Sequence, residues 1–321
     1  MTLRQLWTGT GKAAAAAAAL ALLATACAGG DPHGAGDGKQ ITVAALPLTD
    51  SAALYLAQDR GLFKKEGLNV RIQPVQQSIQ ALPALAKGQV DVIASANYVT
   101  YVQAYEKGTL DVRILAEGVR AAPHMMDLLV PKGSAIKNAA DLKGKKVAVN
   151  ILNNIQTLTL NAILDKQGAG RPVYRQIAFP QMAPALEKGQ VDAVHVVEPF
   201  DSAIQGDLQA RVLIDGGASP VESLPLSGYV TTAQYVKQHP DTAAAFRRAI
   251  EAASKIATRD PSAVRKQLPK YAKVSAAQAE SIGLPAYPTI TDPDALRRLT
   301  ELMQKQGLLK KAVNPTALLV K

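Results

Sequence analysis

The chain spells nearly the same eight residues twice. "ALAKGQVD" occupies residues 84–91 and "ALEKGQVD" residues 185–192, 101 positions apart, differing only at Ala86 and Glu187. Each copy reads as a helix end spliced to a strand start. Gly88 or Gly189 is the residue that accepts a left-handed conformation and stops a helix, and the Val-Asp pair opens a strand. Outward from the first copy, "ITVAAL" (41–46), "LNVRIQPV" (68–75), "VDVIASA" (90–96) and "VRILAEG" (112–118) have strand composition. "SAALYLAQDR" (51–60), "SIQALPALAK" (78–87) and "YVTYVQAYEKG" (98–108) have helical patterns between them. Around the second copy the order restarts. "KKVAVN" (145–150), "VYRQIAF" (173–179) and "VDAVHVV" (191–197) alternate with the helices "NNIQTLTLNAILDKQG" (153–168) and "MAPALEKG" (182–189). Strands alternating with helices of this length predict βαβ units on a largely parallel sheet. A period near 100 lies well above the ~20–50 of solenoid repeats, so the repeat predicts two similar α/β lobes.

From Tyr229 the chain turns mainly helical. Pro240 and Asp241 mark one helix start, and Asp260-Pro261 and Asp292-Pro293 are cap-plus-first-turn pairs. These helices have no strands of their own and are expected to pack on the existing lobes.

Residues 1–39 read as targeting and tether. Arg4 and Lys12 precede an eleven-residue apolar run at 13–23, which is short for a membrane span and has the length of a signal-peptide core. "ATAC" (24–27) resembles a bacterial lipobox, which implies cleavage after residue 26 and lipidation of Cys27, the only cysteine in the chain. A lone cysteine excludes an internal disulfide. Gly- and Asp-rich residues 28–39 read as a flexible tether. Removal of Arg4 and Lys12 leaves 34 basic and 26 acidic residues, a net charge of +8. The basic residues are dispersed over helix ends and turns with no interleaved aromatic platform, which argues against a nucleic-acid partner.

"YLAQDRGLFKKEGLNVRI" (55–72), "ALAKGQVDV", "DLKGKKVAV" (141–149), "ALEKGQVDAVHVVEPF" and "HPDTAAAFRRAIEAA" together resemble the substrate-binding lipoproteins of sulfonate, taurine, nitrate and aminopyrimidine ABC importers. The resemblance covers about residues 40–312. It implies a periplasmic-binding type II fold, two α/β lobes with a ligand cleft between them. Carried onto this chain, lobe 1 is 40–120 plus 228–321, and lobe 2 is 121–227 with the two crossings, near 119–126 and 224–229. It further implies a monomer without cofactor, a separate permease and ATPase as partners, and residence on the outer face of the cell membrane through lipid on Cys27. Menaquinone-pathway dehydratases and yeast-type pyrimidine synthases look similar in architecture, so an enzyme on this fold is the rival reading. A solute sensor that signals through a membrane receptor is a second rival.

In open parallel sheets, ligands sit beyond the carboxyl ends of the strands, by the helix N-termini. Those ends are 46–51 and 95–98 in one lobe, and 150–154 and 197–200 in the other. They nominate Thr49, Asp50, Ser51, Asn97, Tyr98, Asn150, Asn153, Asn154 and Glu198 as ligand-binding residues, with His124 and Tyr229 added at the crossings. Asp50 and Ser51 are equally readable as helix caps, a cap is the second reading of Asn97 after ligand contact, and Glu198-Pro199 is readable as a loop-orienting pair. Tyr98, Tyr101 and Tyr105 have the spacing of a packed helix face, with Tyr98 nearest the mouth. The offset aligns Asn97 with Glu198, so the two are expected to face each other across the cleft. His195, inside a strand, reads as a core histidine.

Asp50 and Glu198 without a Lys or Arg at these strand ends disfavour a simple inorganic anion. They favour a solute with an amino or heteroaromatic donor, such as an aminosulfonate or aminopyrimidine, with Arg120 near a crossing as the one nearby cation. Trp7 is the only tryptophan and lies in the signal, so the mature chain has none for a Trp-based cage. No P-loop or GxSxG is present, and His33, His124, His195 and His239 lack metal-ligand spacing. Catalysis and a bound metal are therefore not expected.

Overall fold

Two five-stranded sheets organise residues 38–320, the part of the chain that the computed structural model describes. The signal, Cys27 and tether readings fall outside those residues. The strands are β1 (Lys39–Ala45), β2 (Leu68–Pro74), β3 (Val92–Asn97), β4 (Val112–Arg120), β5 (Met126–Val130), β6 (Lys146–Val149), β7 (Val173–Gln176), β8 (Ala193–Val197), β9 (Arg211–Asp215) and β10 (Pro225–Thr232). The first sheet has the order β2-β1-β3-β10-β4 and the second β7-β6-β8-β5-β9. Position by position they are the same sheet.

Four strands of each sheet run one way, as the alternation predicts. The fifth runs against them. β10 pairs antiparallel with β3 and β4, and β5 pairs antiparallel with β8 and β9. These are the strands that follow the two crossings. Each lobe thus receives in its fourth place a strand that has just arrived from the other lobe. β5, β9 and β10 were not anticipated from the sequence, and the expected crossing at 224–229 is mostly the start of β10.

The repeated octapeptide does the same job in both lobes. Gly88 and Gly189 have φ of 67° and 65° and end their helices. Gln89 N donates to Ala84 O and Gln190 N to Ala185 O, both at 2.9 Å. Asp91 N then pairs with Thr42 O at 2.9 Å, while Thr42 N donates back to Asp91 Oδ2 at 2.7 Å. Asp192 N pairs with Lys146 O at 2.8 Å, and Lys146 N donates to Asp192 Oδ2 at 2.7 Å. The motif splices a helix to the third strand and pins that strand beside the first.

β3, β8 and β5 are buried along their whole length, as strands covered on both faces must be. The C-terminal helices pack on the first lobe. Phe246, on the helix Pro240–Arg259, stacks on Phe63 and meets Tyr229 edge-on. Tyr271 stacks on Tyr55 with centroids 3.8 Å apart. Asp260 and Asp292 cap their helices ahead of Pro261 and Pro293, accepting from Ala263 N and Asp294 N.

Candidate functional site

The strand ends of the two sheets converge on a cavity of about 40 Å³ between the lobes. Asp50, Ser78, Ser95, Asn97 and Ser227 line it from one lobe and Asn150, Asn154 and Gln156 from the other. Leu46, Leu48, Met125, Met126, Ile151, Ile155, Phe179, Val197 and Leu226 supply its apolar wall. No lysine, arginine, histidine or cysteine lines it among the described residues.

Asp50 is the one ionisable side chain lining it among the described residues. It is buried, and Ser227 Oγ donates to its Oδ2 at 2.5 Å. Its Oδ1 is buried with no hydrogen-bond partner among the described residues. Burial raises the Asp50 carboxyl above its ordinary value, opposed by the Ser227 hydrogen bond. A carboxylate in this condition gains from any donor placed beside it. The expected capping by Asp50 or Ser51 is not found, for neither makes a side-chain cap bond. Ser51 Oγ donates instead to Leu46 O at 2.7 Å and lies 2.6 Å from Ser95 Oγ, which fixes the first turn against β3.

Asn97 and Asn154 both cap helices and line the cavity. Asn97 accepts from Thr100 N at 3.2 Å, and Asn154 accepts from Gln156 N and Thr157 N. Asn150 belongs to an interlobe contact. Its carbonyl and Oδ1 accept from Gln77 Nε2 at 2.6 and 3.3 Å.

The remaining nominated residues lie elsewhere. Glu198 does not face Asn97 across the cavity. Its carboxylate accepts from Ser202 Oγ and Ser202 N, and from Gly283 N at 3.0 Å. Burial raises its carboxyl, against those hydrogen bonds. Thr49 is fully buried, with N and Oγ1 each 3.4 Å from Glu198 O. Together these contacts hold the lobes to each other. Tyr98 and Tyr229 are fully buried outside the cavity lining, and Tyr229 packs on Phe246. Asn153 is exposed in a left-handed conformation, and His124 is exposed at the first crossing. Arg120 pairs with Glu117 at 2.5 and 3.0 Å and does not reach the cavity. His195 is a core residue. Its ring Nδ1–H donates to Gln156 O at 3.1 Å, and desolvation lowers its pKa to about 4.

Sequence reasoning missed Ser78, Phe179, Met125, Met126, Gln156, Leu226 and Ser227. Ser78 and Phe179 follow β2 and β7, so the strand-end rule extended to those strands would have found them. Met126 and Ser227 sit at the amino ends of the two antiparallel strands, where the rule for parallel strands does not look.

Two matched α/β lobes with a cavity at their facing strand ends define the class: the two-lobed fold of periplasmic-binding proteins. The chain belongs to the NMT1/THI5 like family, whose match covers residues 48–264. The 4-amino-5-hydroxymethyl-2-methylpyrimidine phosphate synthase of Schizosaccharomyces pombe is 24% identical over 220 residues, 65% of this chain and 62% of that protein. The "Putative aliphatic sulfonates-binding protein" of Bacillus subtilis is 27% identical over 218 residues, 66% of this chain and 64% of that one. Both alignments span less than two thirds of the relative's own length. The alkanesulfonate-binding protein SsuA of Xanthomonas axonopodis pv. citri, solved with MOPS, superposes with a TM-score of 0.75 at 22% identity. That match covers 89% of this chain and 99% of that one, a likeness of fold. No helix among the described residues is long and apolar enough to cross a membrane.

Proposed function

We propose that the chain is the extracytoplasmic solute-binding component of an ABC importer, taking a small organic solute with an amino or ring N–H donor between its lobes. The observation that carries the reading is Asp50: a buried carboxylate with one oxygen unpartnered among the described residues, in a cavity that these line with amides, hydroxyls and apolar side chains and with no cation. An aminopyrimidine suits this lining best. Its donors meet Asp50, its acceptors meet Asn97, Asn150 or Asn154, and its ring meets Phe179 and the methionines. An aminosulfonate satisfies Asp50 but leaves its sulfonate to neutral donors alone. The cavity's 40 Å³ is far below the ~300–1,000 Å³ of ordinary small-molecule sites. The lobes therefore part to admit solute and close on it, with Gln77–Asn150 and Glu198–Gly283 as contacts of the closed form. Lipid on Cys27 and the 28–39 tether hold the mature protein at the membrane as a monomer, where it delivers solute to a permease driven by a separate ATPase.

Native mass spectrometry of the purified chain, followed by a thermal-shift screen of aminopyrimidines, aminosulfonates, alkanesulfonates and nitrate, tests this. A donor-bearing solute should raise the melting temperature with concentration and be recovered unchanged. Recovery of a converted product favours the enzyme reading, which the pyrimidine-synthase relative supports.

A further inference from the structure

The two chain segments that cross between the lobes meet at three side chains outside the solute cavity: His124, Asp127 and Asp215. His124 ends the first crossing, Asp127 lies at the start of β5, and Asp215 ends β9 where the second crossing begins. Asp127 and Asp215 are direct partners in the antiparallel β5–β9 pair. Like charges placed directly opposite destabilise a strand pair unless something compensates them. Asp201 is buried beside Asp127, and its Oδ2 accepts from Asp127 N at 2.9 Å. The imidazole of His124 is the basic group that approaches both aspartates.

The donor atoms are arranged for more than an ion pair. Asp215 Oδ1 accepts from both His124 N at 3.1 Å and Gly217 N at 2.9 Å, which fixes that carboxylate to both crossings. Its Oδ2 lies 3.9 Å from His124 Nε2. Asp127 Oδ2 lies 3.2 Å from His124 Nδ1, and Asp127 Oδ1 is buried with no hydrogen-bond partner among the described residues. One ligand atom from each residue falls within 4.8 Å of the other two. With metal–ligand bonds of about 2.0–2.2 Å, neighbouring ligand atoms of a tetrahedral ion stand about 3.3–3.6 Å apart. The Asp127–His124 spacing is already close to that. His124, with 66% of its side chain exposed, has the freedom to complete the set.

We propose that His124, Asp127 and Asp215 form a binding site for a divalent transition cation that ties the two interlobe crossings together. One imidazole nitrogen and two carboxylate oxygens suit zinc and its first-row neighbours, with water completing the shell. Calcium and magnesium prefer all-oxygen sites. The ion neutralises the paired aspartates. It also clips the segments that must bend when the lobes part.

Zinc titration of the full chain against a chromophoric chelator tests this, with cobalt as a spectroscopic probe. One equivalent of zinc should bind with micromolar or tighter affinity, and cobalt should give visible d–d bands. His124→Ala should weaken zinc binding at least 100-fold and abolish those bands. Asp215→Asn should weaken it at least tenfold, and His239→Ala should change nothing. Each variant must keep the wild-type melting temperature in chelator. If His124→Ala does not, Asp215→Asn and its cobalt spectrum decide. Failure of the wild-type chain to take up zinc, or equal uptake by the folded His124 and Asp215 variants, overturns the site. Neither result depends on which solute the cavity takes.

Discussion

Ser227 Oγ donates to Asp50 Oδ2 at 2.5 Å, and that contact joins the first βα turn of one lobe to the strand that has just returned from the other. It orients the carboxylate so that Oδ1 is left without a partner among the described residues. Replacement by Asn97→Ala alone would leave this feature intact, whereas Asp50→Asn removes the charge and keeps an acceptor for Ser227. Asp50→Asn should therefore weaken binding of a donor-bearing solute about 10- to 100-fold, the scale of a lost charge-assisted hydrogen bond. The variant should melt no lower than wild type, since a desolvated carboxyl has been removed. Because burial raises the Asp50 carboxyl, affinity in the wild type should fall on acidification. Titration calorimetry at several pH values reads both effects.

Gln77 and Asn150 hold the lobes together from opposite sides of the cavity. Gln77→Ala should disfavour the closed form by about 1 kcal/mol, giving roughly fivefold weaker solute binding. Small-angle scattering should show a larger mean radius of gyration for the solute-free variant than for wild type, with the difference vanishing at saturating solute.

The paired aspartates of the repeat are structural. Asp91→Ala and Asp192→Ala should each cost about 1–3 kcal/mol of stability, since each removes a carboxylate acceptor from a backbone N–H of the neighbouring strand. Solute affinity, measured well below the melting temperature, should be unchanged. Equal-sized losses would reflect equal roles in the two lobes.

His195 makes stability depend on pH in a defined direction. Its folded pKa, near 4, lies below the ordinary value of 6.5, so the unfolded chain binds the extra proton first. The contribution of the neutral ring is complete above pH 6.5 and is lost as pH falls toward 4, amounting to about 3 kcal/mol. Denaturant melts of wild type and His195→Gln across this range should differ in slope, with the variant flatter.

How far the sequence reaches can be seen at particular residues. β1 to β4 and β6 to β8 were legible from alternation and glycine stops, because each adjoins a helix of its own lobe. β5 and β10 were not. "MDLLV" and "PLSGYVTT" have strand composition, but their place is set by a partner sheet met only after a crossing. At the site, Asp50, Asn97, Asn150 and Asn154 were legible because parallel strand ends converge there. Tyr98 and Tyr229 lie within two residues of cavity-lining Asn97 and Ser227, yet both are core side chains. β10 carries register shifts between Ser227 and Val230, so period-two alternation does not decide which way Tyr229 points. His124, Asp127 and Asp215 have no motif spacing at all. An antiparallel pairing brings two of them together, and the turn at the crossing adds the third.

The central claim is that the cavity takes a donor-bearing organic solute through Asp50. Calorimetric titration of an aminopyrimidine, an aminosulfonate, a plain alkanesulfonate and nitrate into the wild-type chain and Asp50→Asn tests it most directly. One donor-bearing compound should bind wild type 1:1 with low-micromolar or tighter affinity and lose at least tenfold in the variant, while nitrate and the plain alkanesulfonate give no heat. Tight binding of nitrate or the plain alkanesulfonate, or a solute affinity unaltered by Asp50→Asn, would contradict it.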